Sequence, residues 1–561
     1  MEEFSVLVGG AAGEGVRQTG RIIGRIFNRH GYYVFILDDY QSLIRGGHNF
    51  SKVRVSREKV WSHLEKVDCI IALNEDTIKR HESELKEDGF IIYDSDSFSY
   101  EGKFKSFGIP LKSLVKEVEG IEIMRNSAAI GFFSYLVGLD INLVKRVMED
   151  VYKEKAEKNV KLVELAFKYA EEKGVQRVLN MEKTQNQPKP LLTGNEAIAL
   201  GAVKGGLQIY VAYPMTPASS ILHFFVNHKD ELNVTVVQPE NEIGVINMAL
   251  GCAYAGARTM VGTSGGGFAL MQEAFSLAGM SETPIVIVEA QRPGPSTGVP
   301  TYTSQGDLKF VLNAGHGEFP RIVLAPGDVE EAFYKTAEAL NLAWKFQVPV
   351  VVLSDKHLSE SVMTVEIDEN SLTIEQPKLW DGKGEYKRYE DTDDGISPLA
   401  FPGTKNTIVK TSSYEHDEFG ITTEEPQIVM KMYEKRFRKR KAIIEELKKR
   451  ETIKVYGKED SNIVVLSWGS TKGAVLEALK ILDKPIKFIH VIYLEPFPTW
   501  ELEKHLKNAE KIITVEGNYT SPLASLLAEN MLIKPTHKIK KYDSREFEPT
   551  WLAKALEEVL G

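Results

Sequence analysis

Residues 4–37, FSVLVGGAAGEGVRQTGRIIGRIFNRHGYYVFIL, read in order as strand, turn, helix and strand. Phe4–Val8 is an apolar run of strand length, and Gly9, Gly10, Gly13 and Gly15 make a flexible turn. Val16–Arg29 repeats its apolar side chains at helical spacing, and Tyr33–Leu37 is aromatic and β-branched. The same rhythm returns along the chain, which predicts an α/β protein of several doubly wound domains rather than a repeat solenoid. Further strands are expected near Cys69–Leu73 and Phe90–Tyr93. A second region should hold Ile209–Ala212, Val234–Val237, Thr259–Gly262, Ile285–Val288, Arg321–Leu324 and Val348–Leu353 in a mainly parallel sheet. A third should hold Ile463–Ser467, Ile486–His490 and Lys511–Val515. NQPKP marks a linker, and residues 365–450 break into a polar, Pro- and Gly-dotted insert followed by a charged helix. The expected divisions are 1–180, 181–190, 191–364, 365–450 and 451–561.

With 561 residues, 43% hydrophobic and 26% charged, the chain has the composition of a soluble multidomain protein. A net charge of −10 creates no field that favours nucleic acid or an anionic membrane. The start, MEEFSVLVGG, lacks the cationic head and long apolar run of a secretory signal, and no stretch spans a bilayer, so a cytoplasmic location is expected. Cys69 and Cys252 are the only cysteines and lie far apart in apolar segments, which offers neither a disulfide framework nor a cysteine-ligated cluster. His416, between Glu415 and Asp417, lacks a second nitrogen ligand nearby, and no metal is assigned to the chain. The basic run Lys435–Lys441 reads as the solvated face of an amphipathic helix whose apolar stripe is Val429, Met432, Phe437, Ile444 and Leu447. Docking of an acidic partner or of a nucleotide is the alternative use of that run.

Gly9–Gly15 imitates a dinucleotide-binding turn, with Asp38 and Asp39 ending the next strand. Its spacing is not G-x-G-x-x-G, and Glu14 puts a carboxylate where a pyrophosphate needs room, so it reads as a structural turn or as an approach to another phosphate. Arg45-Gly46-Gly47 sets a cation beside flexible backbone, for a phosphate or for a surface carboxylate. Four strand-end loops of the second region carry more. Tyr213-Pro214-Met215-Thr216-Pro217 follows a strand directly, where open α/β sheets bind ligands. Glu240 and Glu242 lie in QPENE ahead of a helix of small residues, 243–257, as capping carboxylates or as a sheltered acid. Gly262–Gly267 matches G-x-S-x-G, which makes Ser264 a candidate hydrolase nucleophile with His316, His357 and His416 available. EAQRPGPSTG, 289–298, closes a strand with Arg292, a natural carboxylate clamp, and with the hydroxyls of Ser296 and Thr297.

Together YPMTPAS, QPENE with its small-residue helix, TSGGGF and EAQRPGPSTG resemble, in order and spacing, the pyrimidine-binding domain of the thiamine-diphosphate-dependent 2-oxoacid:ferredoxin oxidoreductases. Residues 1–180 resemble the family's gamma domain, with Arg45-Gly46-Gly47 matching its R-G-G element, and 451–561 its transketolase-C-like domain. The resemblance covers nearly the whole chain and implies an alpha subunit with a fused gamma domain, as in the 2-oxoglutarate and broad 2-oxoacid branch. It implies that Glu242 is the carboxyl hydrogen-bonded to N1′ of the thiamine aminopyrimidine, and that Pro214, Ser264 and Gly265 contact the cofactor. Thr216 and Arg292, assisted by Ser296 and Thr297, would contact the 2-oxoacid. Arg45, Gly13 and Gly15 would approach coenzyme A.

The implied reaction is oxidative decarboxylation of a 2-oxoacid, 2-oxoglutarate favoured, to acyl-CoA and carbon dioxide with reduction of ferredoxin. The chain has no Gly-Asp-Gly followed by Asn and no C-x-x-C set, so magnesium and a 4Fe-4S cluster are expected on a beta subunit that carries the diphosphate-binding domain. A dimer of heterodimers is the implied assembly. A serine hydrolase built on Ser264, or a non-catalytic partner subunit of the same fold, are the competing readings.

Overall fold

The computed structural model describes residues 3–43 and 46–561. Arg45, an expected coenzyme A contact, lies outside the described residues. The chain forms two compact units, one from its beginning to Leu192 with Glu360–Glu366 and Glu548–Trp551, the other from Thr193–Ser359, Ile367–Phe547 and Leu552–Gly561.

In the first unit the strand Glu3–Ala12 is buried on both faces, Phe4, Val6, Leu7 and Val8 being wholly inaccessible, which its continuous apolar run demands. It pairs in parallel with Val67–Ala72, and Leu85–Asp94 and Lys105–Ile109 follow in parallel. Its other edge pairs antiparallel with Gly46–Ser56, then come Tyr33–Asp39 and the returning strand Val362–Thr364, both antiparallel to their neighbours. Lys52, Val53, Arg54 and Val55 alternate at strand spacing, a pattern that would put both cations on a solvated face. Both cations are buried and paired, Lys52 with Glu84 and Arg54 with Glu3, each at 2.7 Å. The helix Val16–Arg29 has the bounds its spacing predicts and lies tight on the sheet, since a Cβ on Gly20 would stand 2.1 Å from Ser51 Oγ.

In the second unit a sheet runs in the order Tyr493–Glu495, Ile322–Leu324, Pro349–Asp355, Ile285–Gln291, Thr259–Thr263, Ile209–Val211, Thr235–Val237. Every neighbouring pair is parallel except Tyr493–Glu495 with Ile322–Leu324, as the Val- and Ile-rich runs lead one to expect. A further sheet is ordered Ile453–Gly457, Lys487–Val491, Ile463–Trp468, Lys511–Glu516, His537–Lys540, antiparallel only at its first pair. Val211, Val261, Ile287 and Val351 of one sheet share a core with Leu466, Trp468 and Ile489 of the other. Full burial of such side chains contributes ~1.5–3 kcal/mol each. No helix among the described residues is long and apolar enough to cross a membrane.

The basic helix Pro426–Leu447 departs from the solvated face expected of it. Its buried stripe is Met432, Lys435, Arg436, Lys439, Ile443 and Leu447, while Phe437 is exposed. Lys435 and Lys439 both bind the buried Glu282 carboxylate, and Arg436 forks onto Glu415. Burial works against these charges and brings Lys439 down to about 7, although Glu282 pulls the other way. The cations therefore answer to fixed carboxylates rather than to water.

Candidate active site

The strand order of the second unit reverses at Ile209–Val211: the chain passes to Thr235–Val237 on one side and returns to Thr259–Thr263 on the other. Connections leaving the carboxyl ends of strands on either side of such a point diverge and open a crevice. The loop after Val211 and the turn after Thr263 flank it, and Thr263 Oγ1 lies 4.0 Å from Met215 Sδ.

Glu242 occupies the first turn of the helix Glu242–Tyr254, whose cap is Asn241, the Asn241 side chain accepting from Gly244 N at 2.9 Å. With the cap supplied by Asn241, the Glu242 side chain turns inward. It is 4% exposed, and its Oε1 has no hydrogen-bond partner among the described residues. Glu240, the competing carboxyl, is exposed. The Glu242 carboxyl lies over the glycine turn, where a Cβ on Gly267 would stand 2.8 Å from Glu242 Oε1 and 2.1 Å from Thr263 Oγ1. Ser264 is fully buried in extended backbone, φ −129°, and its Oγ is likewise without a partner. A buried polar atom left unsatisfied costs ~1–3 kcal/mol, so a carboxyl oxygen and a hydroxyl in this state suit a polar ligand edge.

A hydrolase nucleophile needs an exposed Oγ on a strained turn and a histidine beside it. Ser264 has neither. His316 is engaged with Ser276, its Nδ1 3.1 Å from Ser276 Oγ, and His416 stacks on Tyr389 with ring centroids 3.8 Å apart.

Arg292, at the end of the strand Ile285–Gln291, donates from Nη1 to the Thr216 carbonyl at 3.0 Å, which ties two of the strand-end loops together. Its Nε is buried and has no partner among the described residues, and burial lowers its pKa from the ordinary value. Thr216 is half-buried, whereas Pro214, Ser296 and Thr297 are exposed at the rim. Ser296 and Gly298 take left-handed backbone, φ 55° and 52°. Gly265 packs against Asp307, a Cβ there meeting Asp307 Oδ2 at 2.5 Å. Asp307 and its neighbour Glu289 are carboxyls that the sequence reading does not single out as site residues. The available signal was an acid closing a Val- and Ile-rich strand, which has no exposed face to put it on. Tyr302 of the loop PTYTSQGD lies under the Arg545 guanidinium, 3.6 Å from the ring centroid.

In the first unit the glycine turn is filled by its own side chain. Ala11 N donates to Glu14 Oε2 at 2.6 Å, Arg125 Nη2 donates to Glu14 Oε1 at 2.5 Å, and Asn126 holds the Glu14 carbonyl. The turn N–H that a dinucleotide phosphate would take is bound to a carboxylate. A Cβ on Gly13 would meet nothing within 4 Å among the described residues, and one on Gly15 would meet Asn126 Nδ2 at 2.4 Å. No group of His, Cys, Asp and Glu side chains among the described residues is arranged to hold a metal ion.

Residues 200–435 match the family described as pyruvate flavodoxin/ferredoxin oxidoreductase, thiamine diphosphate-binding, and residues 5–169 match pyruvate ferredoxin/flavodoxin oxidoreductase. The chain is 35% identical to the 2-oxoacid:ferredoxin oxidoreductase subunit alpha of Saccharolobus solfataricus, over 97% of this chain and 95% of the relative. It is 34% identical to the 2-oxoglutarate synthase subunit KorA of Methanocaldococcus jannaschii, over 58% of this chain and 88% of that one. Among solved structures, the 2-oxoglutarate:ferredoxin oxidoreductase of Magnetococcus marinus, with 2-oxoglutarate, coenzyme A and succinyl-CoA bound, superposes with a TM-score of 0.92 at 32% identity, over 100% of both chains.

Proposed function

Because this chain belongs to the 2-oxoacid:ferredoxin oxidoreductases, as an alpha subunit with a thiamine diphosphate-binding domain, we propose that it holds the aminopyrimidine of that cofactor against Glu242 and decarboxylates 2-oxoglutarate to succinyl-CoA with a beta subunit. One observation carries the reading: Glu242 is buried at the switch point of the sheet with Oε1 unpartnered over Gly267. A carboxyl so placed suits N1′ of an aminopyrimidine, with which it exchanges a proton without competition from water. Thiamine diphosphate, when bound, supplies the electron sink that decarboxylation of a 2-oxoacid requires.

The chain's own groups divide the remaining work. Pro214, Ser264 and Gly265 line the ring, with the Ser264 hydroxyl available as a polar contact. Arg292 takes the substrate carboxylate and Thr216 the 2-oxo group, both held in place by the Arg292–Thr216 bond, while Ser296 and Thr297 close over the rim. The relatives named for 2-oxoglutarate and the bound substrate of the Magnetococcus structure favour that dicarboxylate. Coenzyme A is assigned to Arg45, Gly13 and Gly15, with Gly13 the sterically open position.

The beta subunit is assigned the diphosphate, magnesium and the 4Fe-4S cluster, and the assembly is read as a dimer of heterodimers that reduces ferredoxin. An apolar rim supports such a partner: Ile243 and Leu270 are both 52% exposed, and Met248 and Tyr213 are open as well. The test is anaerobic viologen or ferredoxin reduction by the chain co-purified with its beta subunit, with thiamine diphosphate, magnesium, coenzyme A and a panel of 2-oxoacids. The expected result is coenzyme-A-dependent turnover that prefers 2-oxoglutarate over pyruvate. A preference for pyruvate would overturn the substrate assignment, and absence of turnover with every oxoacid would overturn the reaction.

A further inference from the structure

The strand Ile285–Gln291 runs in register with Thr259–Thr263, so that Glu289 stands beside Thr263, and with Pro349–Asp355, so that Gln291 stands beside Asp355. Glu289 is wholly inaccessible, and neither of its carboxyl oxygens has a hydrogen-bond partner among the described residues. The ionisable groups acting on it are themselves carboxyls: Asp307, which precedes the helix Leu308–Leu312, and more weakly Asp355 from the adjacent strand. Asp355 is engaged elsewhere, its Oδ1 accepting from Leu358 N at 2.9 Å and from Thr303 Oγ1 at 3.3 Å. Arg292, the cation three residues on, is directed at the Thr216 carbonyl. Asp307 is fixed by its backbone N–H, which donates to Gln291 Oε1 at 3.0 Å, and its carboxyl lies on Gly265.

A wholly buried acid with no donor among the described residues, whose ionisable neighbour is a half-buried acid, has one inexpensive solution, a proton held between the two, which lets one oxygen donate and the other accept. The geometry points to Glu289 and Asp307 as a proton-sharing pair, and to that pair as the positioning residues that seat Gly265 and so hold the Ser264–Gly267 turn beneath the thiamine ring. The second half rests on the thiamine reading above; the shared proton does not. Burial first, then Asp307 and then Asp355, push Glu289 well above the usual carboxylate range, and burial raises Asp307 as well.

The folded chain keeps a proton that the unfolded chain releases above its ordinary pKa of about 4.3. The stabilisation is complete below that value and declines as pH rises toward the folded one.

The experiment measures the urea unfolding constant of the assembled enzyme from pH 5 to 9, together with thiamine diphosphate affinity by titration, for wild type, Glu289→Gln, Glu289→Ala and Asp307→Asn. Glutamine keeps the shape and donates to Asp307 without needing a shared proton, and Asp307→Asn reaches the same state from the other side if Glu289→Ala fails to fold. The unfolding constant of wild type should rise with pH more steeply than that of Glu289→Gln, by up to about tenfold per pH unit, one proton's worth. At pH 7 Glu289→Gln and Asp307→Asn should bind thiamine diphosphate within about threefold of wild type, and Glu289→Ala at least ~10-fold more weakly. Equal pH slopes in wild type and Glu289→Gln would refute the shared proton. Unchanged affinity in Glu289→Ala would refute the positioning role. If wild type itself binds no thiamine diphosphate while the slopes still differ, the site reading fails and the proton pair stands.

Discussion

Two glycine-rich turns, each leading from a strand into a helix, are treated in opposite ways by the two units. In Gly9–Gly15 the turn supplies its own anion: Glu14 accepts from Ala11 N, its carboxylate is held by Arg125, and a Cβ on Gly10 would stand 2.6 Å from Glu14 Oε2. In Gly262–Gly267 the neighbouring acid comes from another element, and the polar atoms at the turn, Glu242 Oε1 and Ser264 Oγ, are buried without partners among the described residues. Glycine content is the same kind of signal in both. What separates a turn whose N–H is already taken by its own carboxylate from one that offers polar atoms to a ligand edge is whether those groups are already satisfied, and any approach of coenzyme A to Gly13 and Gly15 would be steric rather than through the Ala11 N–H.

Substitution of Glu242 should separate the two turns most strongly. Glu242→Gln keeps the shape but cannot exchange a proton with N1′, and turnover of the assembled enzyme should fall ~10²–10⁴-fold, the usual weight of a general acid–base group, with the fold intact by circular dichroism. Gly267→Ala places a methyl against Thr263 Oγ1 and Glu242, an overpacking of ~1–3 kcal/mol that should appear as weaker thiamine diphosphate binding in a calorimetric titration. Glu14→Ala strips the first turn of its acceptor and Arg125 of its nearest partner, and should cost ~1–3 kcal/mol in urea unfolding. Thiamine diphosphate affinity should not change in that variant, whereas a loss matching Gly267→Ala would erase the distinction between the turns. Glu240→Gln, on an exposed carboxyl, should alter stability by less than about 0.5 kcal/mol and leave turnover unchanged.

Much of this was legible in the chain. The continuous Val and Ile runs define the parallel strands of the second unit to within a few residues, and Val16–Arg29 has the helix bounds its spacing predicts. The order of the four strand-end motifs resembles one family, and that family is the one the chain belongs to. What escaped reading has a common physical cause: a charged residue looks solvated until its partner is known. Lys52 and Arg54 alternate with valines as on a solvated strand face, and their burial in Gly46–Ser56 is hidden because Glu84 and Glu3, which neutralise them, lie elsewhere in the sequence. Lys435 and Lys439 hid the inward face of their helix because Glu282 lies some 150 positions upstream. Glu289 gave the weakest signal, since an acid in an apolar strand has no pattern that reveals its pairing with Asp307.

Exchange of the thiamine C2 proton for deuterium, followed by acid quench and proton NMR in the assembled enzyme, tests the role of Glu242 most directly. With wild type, Glu242→Gln and Glu240→Gln each saturated with thiamine diphosphate, the expected result is exchange slowed at least ~100-fold in Glu242→Gln alone. Unslowed exchange in Glu242→Gln with the cofactor bound, or slowing confined to Glu240→Gln, would contradict it.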